Sequence, residues 1–155
     1  MRAGIDRFRS SGVLRHQVYN EDSFHSLLRN ERRRSQRTGQ SLKVLLAYVM
    51  TTEGLTARMD MNVAYKLLVG LSRNLRDTDY LGWYRDGMIV GAVLTALTHD
   101  RMAEVSLQVE RRCRQVFQEM ISKHEGSRIQ FRFCHDDELG CIDSRADVSP
   151  STRTV

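Results

Sequence analysis

The sequence predicts an α/β protein of the α+β kind, in which a βαββαβ run builds one antiparallel sheet, the ferredoxin-like arrangement, with an extra N-terminal helix. Three observations carry the prediction. Ser41 to Met50, SLKVLLAYVM, is a nearly continuous apolar run between polar residues, as a central strand buried on both faces requires. Two stretches with apolar residues at helical spacing, around Leu67 and around Val109, stand on either side of a hairpin pattern. Arg128 to Cys134 then alternates apolar and polar residues, the period of a strand with one wet face.

Residues 1 to 18 are polar and basic without sustained periodicity and read as a mobile arm or a short helix. From Glu21, the spacing of Phe24, Leu27, Leu28 and Glu31 predicts an amphipathic helix with arginines on its other face, ending near Gly39. The central strand follows, and then a loop, Thr51 to Thr56. Ala64, Leu67, Leu68, Leu71 and Leu75 mark one face of the next helix, with Arg73 and Arg76 near its C-terminus, where cations oppose the helix dipole. Tyr80 to Leu94 reads as two strands folded about Arg85-Asp86-Gly87, because such a turn needs a residue with positive φ and Gly87 supplies it.

Met102, Val105, Val109, Cys113, Val116, Phe117 and Met120 describe a long helix entered at Thr98, with Asp100 in its first turn, and closed at His124-Glu-Gly126-Ser. Arg128 to Cys134 is expected at the edge of the sheet. After His135 the chain is acidic, then rich in Ser and Thr, with no hydrophobic period, which predicts a disordered tail over 135 to 155. One domain, 19 to 134, is the expectation for a chain of 155 residues.

No apolar run reaches the roughly 18 to 20 residues that span a bilayer, and the first residues lack the apolar stretch of a signal peptide, so the expected location is cytoplasmic. Cys113, Cys134 and Cys141 are an odd number, which argues against a disulfide framework, and Cys113 reads as a buried thiol. The formal charge of +5 permits an acidic partner, and much of it lies on Arg29, Arg32, Arg33, Arg34 and Arg37. A solvated helix face is the first reading of that run; a patch for nucleic acid, nucleotide phosphate or an anionic membrane is the other, with salt-dependent binding as its signature.

Between 19 and about 134 the chain resembles the GGDEF family, the bacterial diguanylate cyclase domain. The likeness lies in order and spacing: Phe24-x-x-Leu27-Leu28-x-x-Glu31 continuing to Arg37, the strand Leu42 to Met50, then Leu71-x-x-x-Leu75-Arg76-x-x-Asp79-x-x-Gly82 leading into the hairpin, with Val93-Leu94-Thr95 on its exit strand. The signature pentapeptide falls on Arg85-Asp86-Gly87-Met88-Ile89, or, slipped by one, on Tyr84 to Met88, and neither register recovers the motif. The family needs glycines so that backbone approaches a guanine nucleotide, and carboxylates to hold Mg²⁺ during phosphoryl transfer. Arg85 fills a glycine place, and Met88 cannot bind Mg²⁺. At the end of the first strand, where the family carries an Asp, stand Tyr48, Val49 and Met50. The resemblance therefore implies the fold without cyclase activity, no cofactor and no metal.

One family element persists. Arg76-Asp77-Thr78-Asp79 matches the RxxD pattern that forms the inhibitory cyclic di-GMP site in active members, with five residues between it and Arg85. A guanidinium can pair with phosphate or a guanine edge while a carboxylate accepts guanine N–H groups. The same two residues also suit a helix end and a turn, with Asp79 accepting amide bonds. Trp83 and Tyr84 beside Arg85 could stack a base, or could face opposite sides of the hairpin with an aromatic in the core.

An RNA-recognition module shares the βαββαβ order but wants aromatics on its central strands, where only Tyr48 stands, so nucleic acid is not the expected partner. Cys134-His135 with Cys141 lacks a fourth soft ligand for Zn²⁺. The resulting expectation is an inactive GGDEF-like regulatory or protein-interaction module in second-messenger signalling, binding a protein partner or a second copy of itself. Cyclic di-GMP is its expected ligand if Arg76, Asp79 and Arg85 form a site. The rival reading is a nucleotide-processing enzyme with a rearranged metal site at Asp86, Asp60 and Glu53.

Overall fold

A computed structural model describes residues 14, 16–97, 102–120 and 128–135. The expected arm up to residue 13, the entry and exit of the long helix at Thr98 to Asp100 and His124 to Ser127, and the tail from 136 with Cys141 lie outside the described residues.

Along the chain run β1 (Val18–Tyr19), α1 (Glu21–Thr38), β2 (Ser41–Met50), β3 (Thr56–Ala57), α2 (Met61–Asn74), β4 (Tyr80–Arg85), β5 (Ile89–Leu97), α3 (Met102–Met120) and β6 (Ile129–His135). The expected helices and strands are all present, and two short strands join them. A two-residue strand is too short to show a period in sequence, so β1 and β3 had no signal of their own. Val18, just ahead of the expected domain, is buried and pairs in parallel with Leu81 of β4.

β2 is the central strand. It pairs antiparallel with β5 through Val44↔Val93 and with β6 through Val44↔Cys134, while β4 lies outside β5. β6 has no neighbour but β2 among the described residues, so it is the edge strand the alternating pattern predicts. The order β4-β5-β2-β6 is that of the ferredoxin-like βαββαβ unit. Residues 41 to 48 of β2 are buried throughout, as the apolar run requires.

Side chains alternate between two layers along β2. Leu45 and Ala47 join Leu67, Leu68 and Leu71 of α2 and Val109 and Cys113 of α3 in one core. Val44 and Leu46 join Phe24 and Leu28 of α1 in the other. The two helices of the βαββαβ unit thus cover one face, and the extra helix α1 covers the opposite one, which settles where its Phe24 and Leu28 stripe is buried. Lys43, buried near the start of β2, places its Nζ 5.4 Å from the Phe133 ring centroid, a cation–π contact with the edge strand. No helix among the described residues is long and apolar enough to cross a membrane.

α1 begins and ends where its sequence says. The Asn20 side chain accepts the Ser23 N–H at 2.9 Å, and Gly39, at φ 70°, donates its N–H to Ser35 O at 2.9 Å. α2 is capped by Asp60, whose Oδ1 accepts the Asn62 N–H at 2.7 Å.

Candidate functional site

The hairpin turn and the C-terminal end of α2 hold the residues that the sequence singles out. In the turn, Met88 N–H donates to Arg85 O at 3.0 Å and Gly87 adopts φ 73°, a conformation that an L side chain rarely takes. Gly87 O accepts the Met59 N–H at 2.8 Å, and the Arg58 guanidinium lies against the turn, with Nη2 3.4 Å from where a Gly87 Cβ would stand. Backbone from the β3 connection therefore closes over the hairpin tip. Arg85, Met88 and Ile89 are each half-buried there.

Asp86 carries the only carboxylate of the signature segment. Its Oδ1 accepts the Glu21 N–H at 3.2 Å, so the charge sits at the N-terminus of α1, where unpaired amides and the helix dipole favour an anion. The sequence alone missed this role; a turn aspartate looks the same whether it caps a helix or holds an ion. Of the other acids proposed for a rearranged metal site, Asp60 caps α2 and Glu53 is exposed in the loop before β3. Among the described residues no three or more His, Cys, Asp or Glu stand together in a group able to hold a metal ion. At the end of β2, Tyr48 is buried, and burial raises its phenol pKa above the usual range, with Arg132 acting in the opposite sense.

Arg76 and Asp79 come together in a closed set of bonds. Asp79 Oδ2 accepts the Arg76 backbone N–H at 2.9 Å, and Oδ1 accepts Arg76 Nη2 at 3.3 Å and the Thr95 N–H at 3.1 Å. Arg76 Nη2 also donates to Thr95 O, and Thr95 Oγ1 to Thr78 O at 3.1 Å. The two partners differ in access: the Asp79 side chain is 3% exposed and that of Arg76 53%. Asp79 thus ties the end of α2 to the exit strand β5, and both its oxygens are engaged within the protein. Arg85 stands at the far end of β4 from this clasp, so Arg76 and Asp79 are together and Arg85 is not with them.

His16, to which the sequence assigned no role, supports the same corner. One ring nitrogen, Nε2, donates to Arg76 O at 2.7 Å, and the other, Nδ1, lies 2.9 Å from Ser72 Oγ. Trp83 is buried in the α2/α3 core and Tyr84 beneath α1 against Phe24 and His25. Neither ring offers a face for a base. Because α1 covers the sheet, the open aromatic platform of an RNA-recognition module is not formed by the described residues.

Three helices on the two faces of a ferredoxin-like sheet, with a hairpin turned toward the end of the first long strand, define the class of fold. No protein-family model matches the chain, and no curated protein does either. Solved structures do. A DGC protein from Thermotoga maritima superposes with a TM-score of 0.59 at 15% identity, over 84% of this chain and 95% of that one. A fragment of TpbB (YfiN) from Pseudomonas aeruginosa comprising only the GGDEF domain superposes with a TM-score of 0.55 at 16% identity, over 76% of this chain and 69% of that one. The chain has the fold of GGDEF diguanylate cyclase domains.

Proposed function

We propose that this chain is a GGDEF-like domain that makes no cyclic di-GMP and acts as a regulatory, protein-binding module in bacterial second-messenger signalling. The observation that carries the reading is the engagement of Asp86 with the α1 N-terminus, beside a β2 end that presents Tyr48, Val49 and Met50. A cyclase must gather several carboxylates around Mg²⁺ to neutralise the phosphates it joins. The site residues here supply a helix cap, an arginine and apolar side chains in their place. Incubating the full chain with GTP and either Mg²⁺ or Mn²⁺ tests the reading, with chromatography for cyclic di-GMP. No product is expected; sustained turnover that Asp86→Ala abolishes, in a variant whose thermal melt shows it folded, would overturn it.

A second reading, cyclic di-GMP binding at Arg76 and Asp79, is favoured by the half-exposed Arg76 guanidinium, which can fork onto a phosphate. Binding through Asp79 as well would require its carboxylate to release Thr95 N–H. Calorimetry decides between the clasp and the receptor: heat with cyclic di-GMP that is lost in Arg76→Ala supports the receptor, and no heat at high protein concentration rejects it.

A further inference from the structure

With Phe24 and Leu28 laid on the sheet, the opposite side of α1 turns outward, and on it Arg29, Arg33 and Arg37 recur every fourth residue, all exposed. At 1.5 Å rise per residue the neighbouring stems stand about 6 Å apart, and the row is about 12 Å long. The acids of the helix lie off this row: Glu21 and Asp22 are in the first turn, and Glu31 is half-buried on the sheet side, 3.9 Å from Arg34 Nη1. Arg29 donates Nη2 to the neutral Ser26 Oγ at 3.4 Å and forms no ion pair among the described residues. Among the described residues neither Arg33 nor Arg37 forms an ion pair. Like charges at this spacing disfavour a helix, and only Arg37, in the last turn, gains from the helix dipole, so helix stability does not account for Arg29 and Arg33.

We infer that the row is a docking surface for an acidic helix of a partner protein, one whose Asp or Glu residues repeat at i, i+4 and i+8 and so present carboxylates at the same spacing. Arginine forks suit carboxylates, and the charge is complementary along the whole length. A second copy of α1 would bring the same positive excess. A single-stranded nucleic acid wants aromatic rings to stack on, and a membrane surface wants apolar side chains to bury; the exposed residues of α1 include neither. The partner class rests on the protein-binding reading above, whereas the surface itself rests on the spacing of the arginines.

Fluorescence anisotropy of the full chain with two labelled synthetic peptides tests it. One is a helical peptide with Glu at i, i+4 and i+8; the other has the same composition with its glutamates spread around the helix. Exposed charge pairs are each worth a factor of about two to five, so the aligned peptide should bind at least about fivefold tighter than the scattered one. Raising salt from about 50 to 300 mM shortens the screening length and should weaken it several-fold. The triple variant R29E/R33E/R37E should lose about tenfold or more, and a lysine version of the aligned peptide should regain the loss. Equal affinity of the wild-type chain for the two peptides overturns the inference even if the triple variant does not fold. So does tighter binding of a single-stranded oligonucleotide or of phosphatidylserine vesicles than of the aligned peptide. Cyclase turnover, measured separately, would sink the regulatory reading and leave the row standing, so the two failures are distinguishable.

Discussion

Phe24 seats its ring on Gly91: a Cβ at Gly91 would stand 2.6 Å from Phe24 Cζ. Gly82, the residue paired with Gly91 across the hairpin, gives a second such point, with Phe24 Cδ2 at 2.8 Å and Tyr19 O at 2.6 Å. Glycine weakens a strand, and here the missing side chains make the hollow that locks α1 to the sheet. Gly91→Ala should destabilise the protein by about 1–3 kcal/mol through overpacking. Because the obstacle at Gly91 is a side chain, adding Phe24→Leu should recover part of that loss. At Gly82 the obstacle includes backbone, so Gly82→Ala should cost more and gain little from Phe24→Leu. Urea unfolding of the four variants measures this, and a neutral Gly91→Ala would show that the ring moves aside freely.

Asp79 and Thr95 give a second expectation. Removing a buried acceptor leaves its donors unsatisfied, so Asp79→Ala should cost about 1–3 kcal/mol for the stranded Thr95 and Arg76 amides. Arg76→Ala removes a half-exposed charge and should cost under about 1 kcal/mol. Hydrogen exchange at the Thr95 amide should quicken in Asp79→Ala and stay close to wild type in Arg76→Ala. Equal losses in both variants would mean that the exposed guanidinium, not the buried carboxylate, holds the corner.

The central strand was legible as a continuous apolar run, and the three long helices because each buries enough apolar residues to show a period. What α1 is buried against was not: Phe24 and Leu28 declare a stripe, but its receiving surface is Gly82 and Gly91, far along the chain and without side chains to announce a contact. Asp79 shows the same limit in polar form. Its turn-forming bond to Arg76 is local and predictable, whereas the bond from Thr95 spans 16 residues and exists only once β5 is in place. Asp86 was ambiguous because a carboxylate in a turn serves a helix end as well as it serves a metal, and only the position of Glu21 decides. The hairpin itself was readable from Gly87, since its conformation is a local requirement.

Cys113 makes stability depend on alkaline pH. Burial, with Glu110 adding to it, pushes its thiol from 9.0 up to about 12. The folded thiol keeps its proton while the unfolded one loses it above about 9, so the native state binds more protons and stability falls as pH rises toward 12. Below pH 9 the contribution is fully present. Between pH 8.5 and 10 the loss from this group is about 1 kcal/mol. Urea midpoints across that range should fall less steeply in Cys113→Ala than in wild type, after allowing for its lower starting stability. Parallel slopes would mean that the thiol ionises in the folded state.

Asp86 separates a structural from a metal-binding role for the hairpin tip. As a cap it contributes to α1 alone, so Asp86→Ala should lower stability by about 0.5–2 kcal/mol and speed exchange at the Glu21 amide. Asp86→Asn keeps an acceptor but gives up the favourable charge at the helix end, and should fall between the two. A metal ligand behaves otherwise: an ion that binds only the folded state raises its melting temperature, and the rise grows with the logarithm of ion concentration above the Kd. Millimolar Mg²⁺ should therefore leave the melting temperature of the wild-type chain unchanged, and that of Asp86→Ala lower by the same amount with or without the ion. A rise with Mg²⁺ in wild type that disappears in both variants would assign the carboxylate to an ion, and the hairpin would then be a working site instead of a fastening for α1.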